Sequence, residues 1–194
     1  MGAVKQRAVA EFLKTVEFNP VEDELIVVRR KAKVGIVCLD QDGRPGFFVA
    51  TRSKYEKTRK LGPDWPGGSL KVRERPHLGL EREGNQEFPG LDIINPIRVA
   101  KAKRTRENIK TVTTIVLANA NEPEGGLVFG LNEDDEPEHC AVSIVSFERF
   151  QELDEMPRKY REAVASHAGQ AAIANLIETA QPLIIPEGLQ ETRW

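Results

Sequence analysis

Residues 67–91 read GGSLKVRERPHLGLEREGNQEFPGL. Glu83 follows Arg82 directly and Glu87 comes four residues after Glu83. Residues three and four apart are neighbours on a helix surface, so the two carboxylates share one face of a short predicted helix. That helix should start near Pro76, because proline is favoured in the first helical turn. It should end near Phe88, since Pro89 and Gly90 cannot easily extend it. Ahead of it stand Gly67-Gly68, whose backbone can bend close to a ligand, and Glu74. Two carboxylates on one face behind a glycine loop suit a divalent cation that also holds a phosphate. Metal-assisted phosphate chemistry is therefore the leading reading. Gly79 and Gly84 lie inside the predicted helix and cost about 1 kcal/mol each relative to alanine. Such a helix is held by tertiary packing. Close approach to a sheet or ligand would explain the glycines, and so would an eroded motif.

Outward from this stretch the chain alternates strand and helix signals. Residues 4–16 carry Val4, Ala8, Val9, Phe12, Leu13 and Val16 at helical spacing, and Asn19-Pro20 breaks the pattern. Residues 25–30, 34–39 and 47–51 are β-branched or apolar, the last two joined by a turn, DQDGRPG, as a hairpin. Strands are also expected at 93–99, at 111–118 (TVTTIVLA), in a short piece at 127–129, and at 140–147. A helical turn should open at Ser146, and one long helix should run over 156–179. The tail from 181 should be irregular. The domain plan is an N-terminal helical extension (1–20), a main α/β domain (21–180) and a C-terminal tail (181–194).

Composition sets limits. With 194 residues, 40% hydrophobic and 30% charged, the chain can bury a sound core. A net charge of −2 gives no overall attraction to nucleic acid or anionic membrane. No apolar run approaches the roughly 20 residues of a membrane span, and the first residues lack the apolar centre of a signal peptide. Cytoplasm is the expected compartment. Cys38 and Cys140 are far apart and flanked by apolar residues, which reads as two buried thiols.

The central stretch resembles the Nudix hydrolase (MutT-like) signature: Gly, five residues, Glu, seven residues, Arg-Glu, an apolar residue, any residue, Glu-Glu, any residue, Gly, apolar. From Gly68, the first Glu falls on Glu74, the Arg-Glu pair on Arg82-Glu83, and the second Glu of the later pair on Glu87. Three positions depart from it. Gln86 replaces one glutamate, Gly84 fills the apolar position, and the closing pair is shifted by one residue to Gly90-Leu91. Asp64-Trp65-Pro66-Gly67-Gly68 and a strand ending in Thr51-Arg52 also stand where the family has similar features.

The resemblance implies a Nudix fold, an α/β/α sandwich with a mixed sheet between helices. It also implies hydrolysis of a diphosphate linkage in a nucleoside diphosphate derivative with Mg²⁺ or Mn²⁺. Carried over residue by residue, Glu83 and Glu87 would be metal ligands, Arg82 would orient the carboxylates, and Glu74 would brace the loop or assist the metal site. Gly67, Gly68 and Arg52 would face the substrate. An acid outside the box would come from Glu133, Asp134, Asp135, Glu136 or Glu138, with Glu136 or Glu138 favoured. Homodimers occur in the family. An amide at Gln86 brings no charge to a cation, so the alternative is a catalytically impaired Nudix-like module that binds a nucleotide, RNA or protein.

Two basic runs remain. Arg52, Lys54, Lys57, Arg59 and Lys60 could clamp a diphosphate. Arg98, Lys101, Lys103, Arg104, Arg106 and Lys110 could meet phosphates of a substrate or RNA, but no aromatic residue interleaves for base stacking, so a solvated loop between strands is the plainer reading. His77, His139 and His167 show no metal-ligand spacing, and His77 reads as a surface group. A nucleophile elbow, a Walker loop and a CxxC pair are all absent from the sequence.

Overall fold

β-Branched and apolar runs build the centre of the molecule. ELIVVRRKAKVGIVCL forms strand β2 (Glu24–Leu39) and IKTVTTIVLANAN forms β6 (Ile109–Asn121). The two run parallel, in register from Val27 opposite Ile109 to Ile36 opposite Ala118. The computed structural model describes residues 16–21, 24–52, 62–131, 135, 137 and 139–190, with side chains from residue 27 onward. Antiparallel partners flank the parallel pair: β1 (Val16–Val21), β3 (Pro45–Arg52), β4 (Pro63–Asp64), β5 (Asp92–Arg106) and β7 (His139–Ser146). The order is β4-β3-β2-β6-β5, with β1 on β2 and β7 on β3.

Helices cover both faces. Helix α1 (Pro76–Glu87) lies over a core that includes Val34, Ile36, Phe48, Leu80, Phe88 and Val116. Helices α2 (Phe147–Glu152), α3 (Arg158–Ala165) and α4 (His167–Ile177) lie over Val37, Phe47, Trp65, Ile115, Phe150 and Ile173. This is the expected mixed sheet between helices.

One edge of β2 is divided in three. Strand β1 pairs with residues 24–29 and β3 with residues 36–39. Between them the glycine loop is stitched on: Ala32 N–H donates to the Gly68 carbonyl at 3.0 Å, Val34 N–H to Pro66 at 3.0 Å, and Leu70 N–H to Arg30 at 2.9 Å. The loop is therefore fixed by backbone hydrogen bonds that its own side chains do not supply.

Several expectations change. The segments 25–30 and 34–39 are one continuous strand. Residues 98–110 form no loop: β5 and β6 run on to a two-residue turn at Glu107-Asn108. Residues 127–129 form no strand. The long helix over 156–179 is two helices, because the Ser166 N–H closes α3 on the Glu162 carbonyl while its Oγ caps α4 by accepting from Gly169 N–H. Gly169 permits the bend, since a Cβ there would lie 2.1 Å from the Ala163 carbonyl. Residues 16–21, where the helical extension was expected to end, form a strand paired with β2. The rest of the predicted N-terminal helix, and residues 191–194, lie outside the described residues. Cys140 is exposed, not buried, at the start of β7 beside the irregularity between Thr51 and Arg52.

Candidate active site

Helix α1 is positioned by its glycines. A Cβ on Gly79 would lie 2.1 Å from Leu70 Cδ2, and one on Gly84 would lie 2.8 Å from Ile93 Cδ1. Their absence lets the helix press against the glycine loop on one side and β5 on the other. Close approach, left open beside erosion above, is what the glycines serve. The same approach brings Glu83 and Glu87 onto Gly67-Gly68. Glu87 is 4% exposed, and its Oε2 accepts the Gly67 N–H at 2.9 Å. A Cβ on Gly68 would lie 1.7 Å from Glu83 Oε2. Gly67 has φ +116°, and a Cβ there would lie 2.5 Å from the Ala32 carbonyl.

Arg82 ties the helix to the loop. Its Nε donates to Glu74 Oε1 at 3.0 Å, and one terminal nitrogen donates to Glu74 Oε2 at 3.1 Å and to the Ser69 carbonyl at 2.9 Å. The other terminal nitrogen pairs with Glu83. Glu74 in turn accepts the Lys71 N–H at 2.7 Å. The Arg82 hydrogen bonds, ahead of a smaller opposing effect of burial, hold the Glu74 carboxyl below the usual carboxylate range. Glu74, Arg82, Glu83, Glu87, Gly67 and Gly68 are thus brought together.

Burial alone would raise the pKa of Glu87. Lys33, His139 and the Gly67 N–H outweigh it and keep the group ionised, with its pKa lowered. His139 is fully buried, stacks on Phe88 at 5.0 Å, and places Nε2 3.7 Å from Glu87 Oε2. Neither of its ring nitrogens finds a hydrogen-bond partner among the described residues. Lys33, 5% exposed, donates from Nζ to Asp64 Oδ2 at 3.0 Å and to the Trp65 carbonyl at 2.7 Å.

Arg52 is tied to Asp64. It is 4% exposed, and its guanidinium forks onto Asp64 Oδ2 at 3.0 and 2.7 Å. Burial pushes the Asp64 carboxyl up, but Lys33 and Arg52 overcome this and hold it far below its usual range. Trp65, next in sequence, is stacked between Phe150 and Tyr160 at 5.2 and 4.9 Å. Asp64-Trp65 therefore anchors the loop that Gly67-Gly68 completes. Lys33 escaped the sequence reading, and Asp64 and His139 were named there without a role in the site. They come from three separate strands, and a single charged residue in a strand carries no spacing to mark it.

Gln86 is exposed on α1. Glu133, Asp134, Glu136 and Glu138 lie outside the described residues, and Asp135 is exposed. Among the described residues no three His, Cys, Asp or Glu side chains converge as a metal cluster. Two carboxylates from adjacent helical turns do converge beside the glycine loop. That donor set fits Mg²⁺, which commonly takes one or two protein carboxylates and fills its shell with waters and substrate phosphates.

No protein-family model and no curated protein sequence matches the chain. Solved structures do. The E. coli ORF135 protein is similar over 81% of this chain and 97% of its own, with TM-score 0.55 and 16% identity. A C. elegans Ap4A hydrolase is similar over 76% and 98%, with TM-score 0.54 and 14% identity. A MutT protein from Methanosarcina mazei Go1 is similar over 74% and 93%, with TM-score 0.50 and 18% identity. At such identities the likeness speaks for the arrangement of strands and helices. That arrangement is the Nudix hydrolase fold.

Proposed function

We propose that this protein hydrolyses a diphosphate linkage in a nucleoside diphosphate derivative with the help of Mg²⁺ or Mn²⁺. The observation that carries the reading is the Arg82 fork, which ties Glu74, Ser69 and Glu83 together while Glu87 is held on the Gly67 N–H. Glu83 and Glu87 would hold the cation. Once bound, a divalent cation supplies charge neutralisation for the diphosphate and Lewis-acid activation of the attacking water. The chain's own residues supply position. Arg82 fixes the rotamer of Glu83, the Gly67 N–H fixes Glu87, and Lys33 keeps Glu87 anionic. Gly68 leaves room for the Glu83 carboxylate at the loop. Arg52 acts through Asp64, steadying the loop's entry. The functional unit is the sheet and its helices, the 21–180 domain extended by β1 back to residue 16, acting on a small-molecule substrate in the cytoplasm.

The test is release of monophosphate from a panel of nucleotide sugars, ADP-ribose, dinucleotides, nucleoside triphosphates and capped RNA, with Mg²⁺, with Mn²⁺ and with EDTA. Metal-dependent release is expected, and Glu87→Gln should lower kcat by about 100-fold or more at unchanged fold. Activity that survives Glu87→Gln overturns the assignment. One observation favours a second reading: Gln86 leaves the described site with two carboxylates and no third ligand. A binding module would show no release from any substrate, together with nucleotide binding that persists in EDTA. In the hydrolase, Gln86→Glu should lower the Mg²⁺ concentration needed for half activity.

A further inference from the structure

Strand β5 ends the sheet, so among the described residues one of its edges has no strand partner. From residue 98 to 110 the hairpin of β5 and β6 carries Arg98, Lys101, Lys103, Arg104, Arg106 and Lys110 against a single carboxylate, Glu107. The register distributes these cations over both faces. Lys101 stands opposite Thr114, Lys103 opposite Val112 and Lys110 opposite Thr105, on the face that carries Val116 and α1. Arg104 stands opposite Thr111 and Arg106 opposite Ile109, on the face that carries Ile115. Lys101, Lys103, Arg104 and Arg106 are exposed.

Among the described residues the one ion contact in this set is Arg106 to Glu107, at 3.9 Å. On the Ile115 face, Arg104, Arg106, Arg29 and Thr111 line a hollow of about 330 Å³. Lys159 donates to Thr113 nearby at 3.3 Å. A protein with net charge −2 has thus gathered one-signed charge at one end of its sheet.

The absent side chains narrow the partner. No aromatic residue occurs from 92 to 113, which removes the stacking platforms that single strands use. None of the exposed large apolar side chains, Val72, Leu78, Val128, Leu131, Ile177 and Ile184, lies on this hairpin, so nothing there would enter a lipid interface. What remains is backbone charge. Lysines deter edge-to-edge pairing of sheets, but that purpose is met by one or two and does not call for cations on both faces.

We propose that the β5 edge docks on the sugar–phosphate backbones of duplex DNA, edge-on in a groove. The B-DNA major groove, about 12 Å wide, admits a two-stranded β-ribbon. Cations that leave the edge upward and downward then face the phosphates on either side. Same-face residues on β5 repeat every ~6.7 Å along the strand. The surface is separate from the candidate active site. Lys101, Thr114, Ala32 and Gly68 stand in one row across β5, β6, β2 and the loop, so three strand spacings, about 14 Å, separate the cationic strand from the glycine loop.

The experiment is fluorescence anisotropy with labelled duplexes of about 20 base pairs and unrelated sequences, in EDTA, titrated from ~50 to ~200 mM NaCl. Binding should be insensitive to sequence. The slope of log K against log salt should lie between about −2.7 and −5.4, as roughly three to six phosphate contacts at ~0.9 each require. The Lys101→Ala/Lys103→Ala variant should flatten the slope by about 2 and weaken binding about tenfold or more at low salt. Lys101→Arg/Lys103→Arg should retain binding, and hydrolysis of small substrates should be untouched in both. Absence of DNA binding at low salt, an unchanged slope in the alanine variant, or equal binding to phosphatidylserine vesicles overturns the proposal. None of these outcomes depends on the hydrolase assignment, because the readout contains no metal.

Discussion

Gly67 and Gly68 are neighbours in sequence, yet a methyl group would meet different things at each. At Gly68 it would strike the Glu83 carboxylate, the movable end of a side chain; at Gly67 it would strike the Ala32 carbonyl, in a backbone conformation of φ +116°. Gly68→Ala should therefore displace Glu83 at little cost in stability. The expected result is a denaturation midpoint within about 1 kcal/mol of wild type, with turnover reduced about tenfold or more. Gly67→Ala should do the reverse first, with a stability loss of about 1–3 kcal/mol from backbone strain. Paired chemical denaturation and steady-state kinetics on both variants check this, and equal loss of stability in both would refute it. The cysteines also separate at this scale. Burial pushes the Cys38 thiol up to about 12, whereas Cys140 is exposed. A thiol-specific alkylating reagent at pH 8 should label Cys140 in the native protein and reach Cys38 only after denaturation, as peptide mapping will show.

Helix α1 inverts the usual propensity argument. Alanine at Gly79 would gain about 1 kcal/mol of helix propensity. Its Cβ would overlap Leu70 Cδ2 at 2.1 Å, in a core with no slack. Gly79→Ala should destabilise by about 1–3 kcal/mol, and Leu70→Val in the same chain should recover part of that loss. A stabilised single variant by thermal or denaturant unfolding would contradict the close-approach reading. The boundaries of α1 were legible in the sequence because proline and glycine punctuate both ends. Its partners were not, since Leu70 and Ile93 meet it only through tertiary packing. The β5–β6 hairpin was read short for a related reason. An edge strand exposed on both faces loses the apolar alternation that marks a strand, and cations at 98–110 then look like a loop. The break between α3 and α4 was hidden because Ser166 and Gly169 sit in an otherwise helix-compatible run.

Across the whole molecule, one carboxylate joins elements that are distant in sequence. Asp64 on β4 holds Lys33 of β2 and Arg52 of β3, both about 5% exposed at the side chain, and adjoins Tyr160 of α3. Burial first, and then the charge of Asp64, push the Tyr160 phenol up, so it stays neutral there. The box carboxylates were legible because they share one helix. This junction was not, because its members lie on three strands and a helix and converge only when the sheet forms. Breaking it should be costly. Asp64→Asn leaves two buried cations without their counter-charge, and removing one partner of a buried pair typically costs about 3–5 kcal/mol. The pH dependence follows from the same residue. The folded-state pKa of Asp64 lies far below its unfolded value of about 3.9. Its contribution is therefore complete above about pH 4 and is lost progressively as pH falls below that value toward the folded pKa. Glu74 and Glu87, also lowered, add in the same direction. Denaturant midpoints between about pH 7 and pH 2 should fall steeply on the acid side for wild type. For Asp64→Asn they should start lower and fall less, the two curves converging in acid. Parallel curves would show that Asp64 is not the group whose charge the fold depends on.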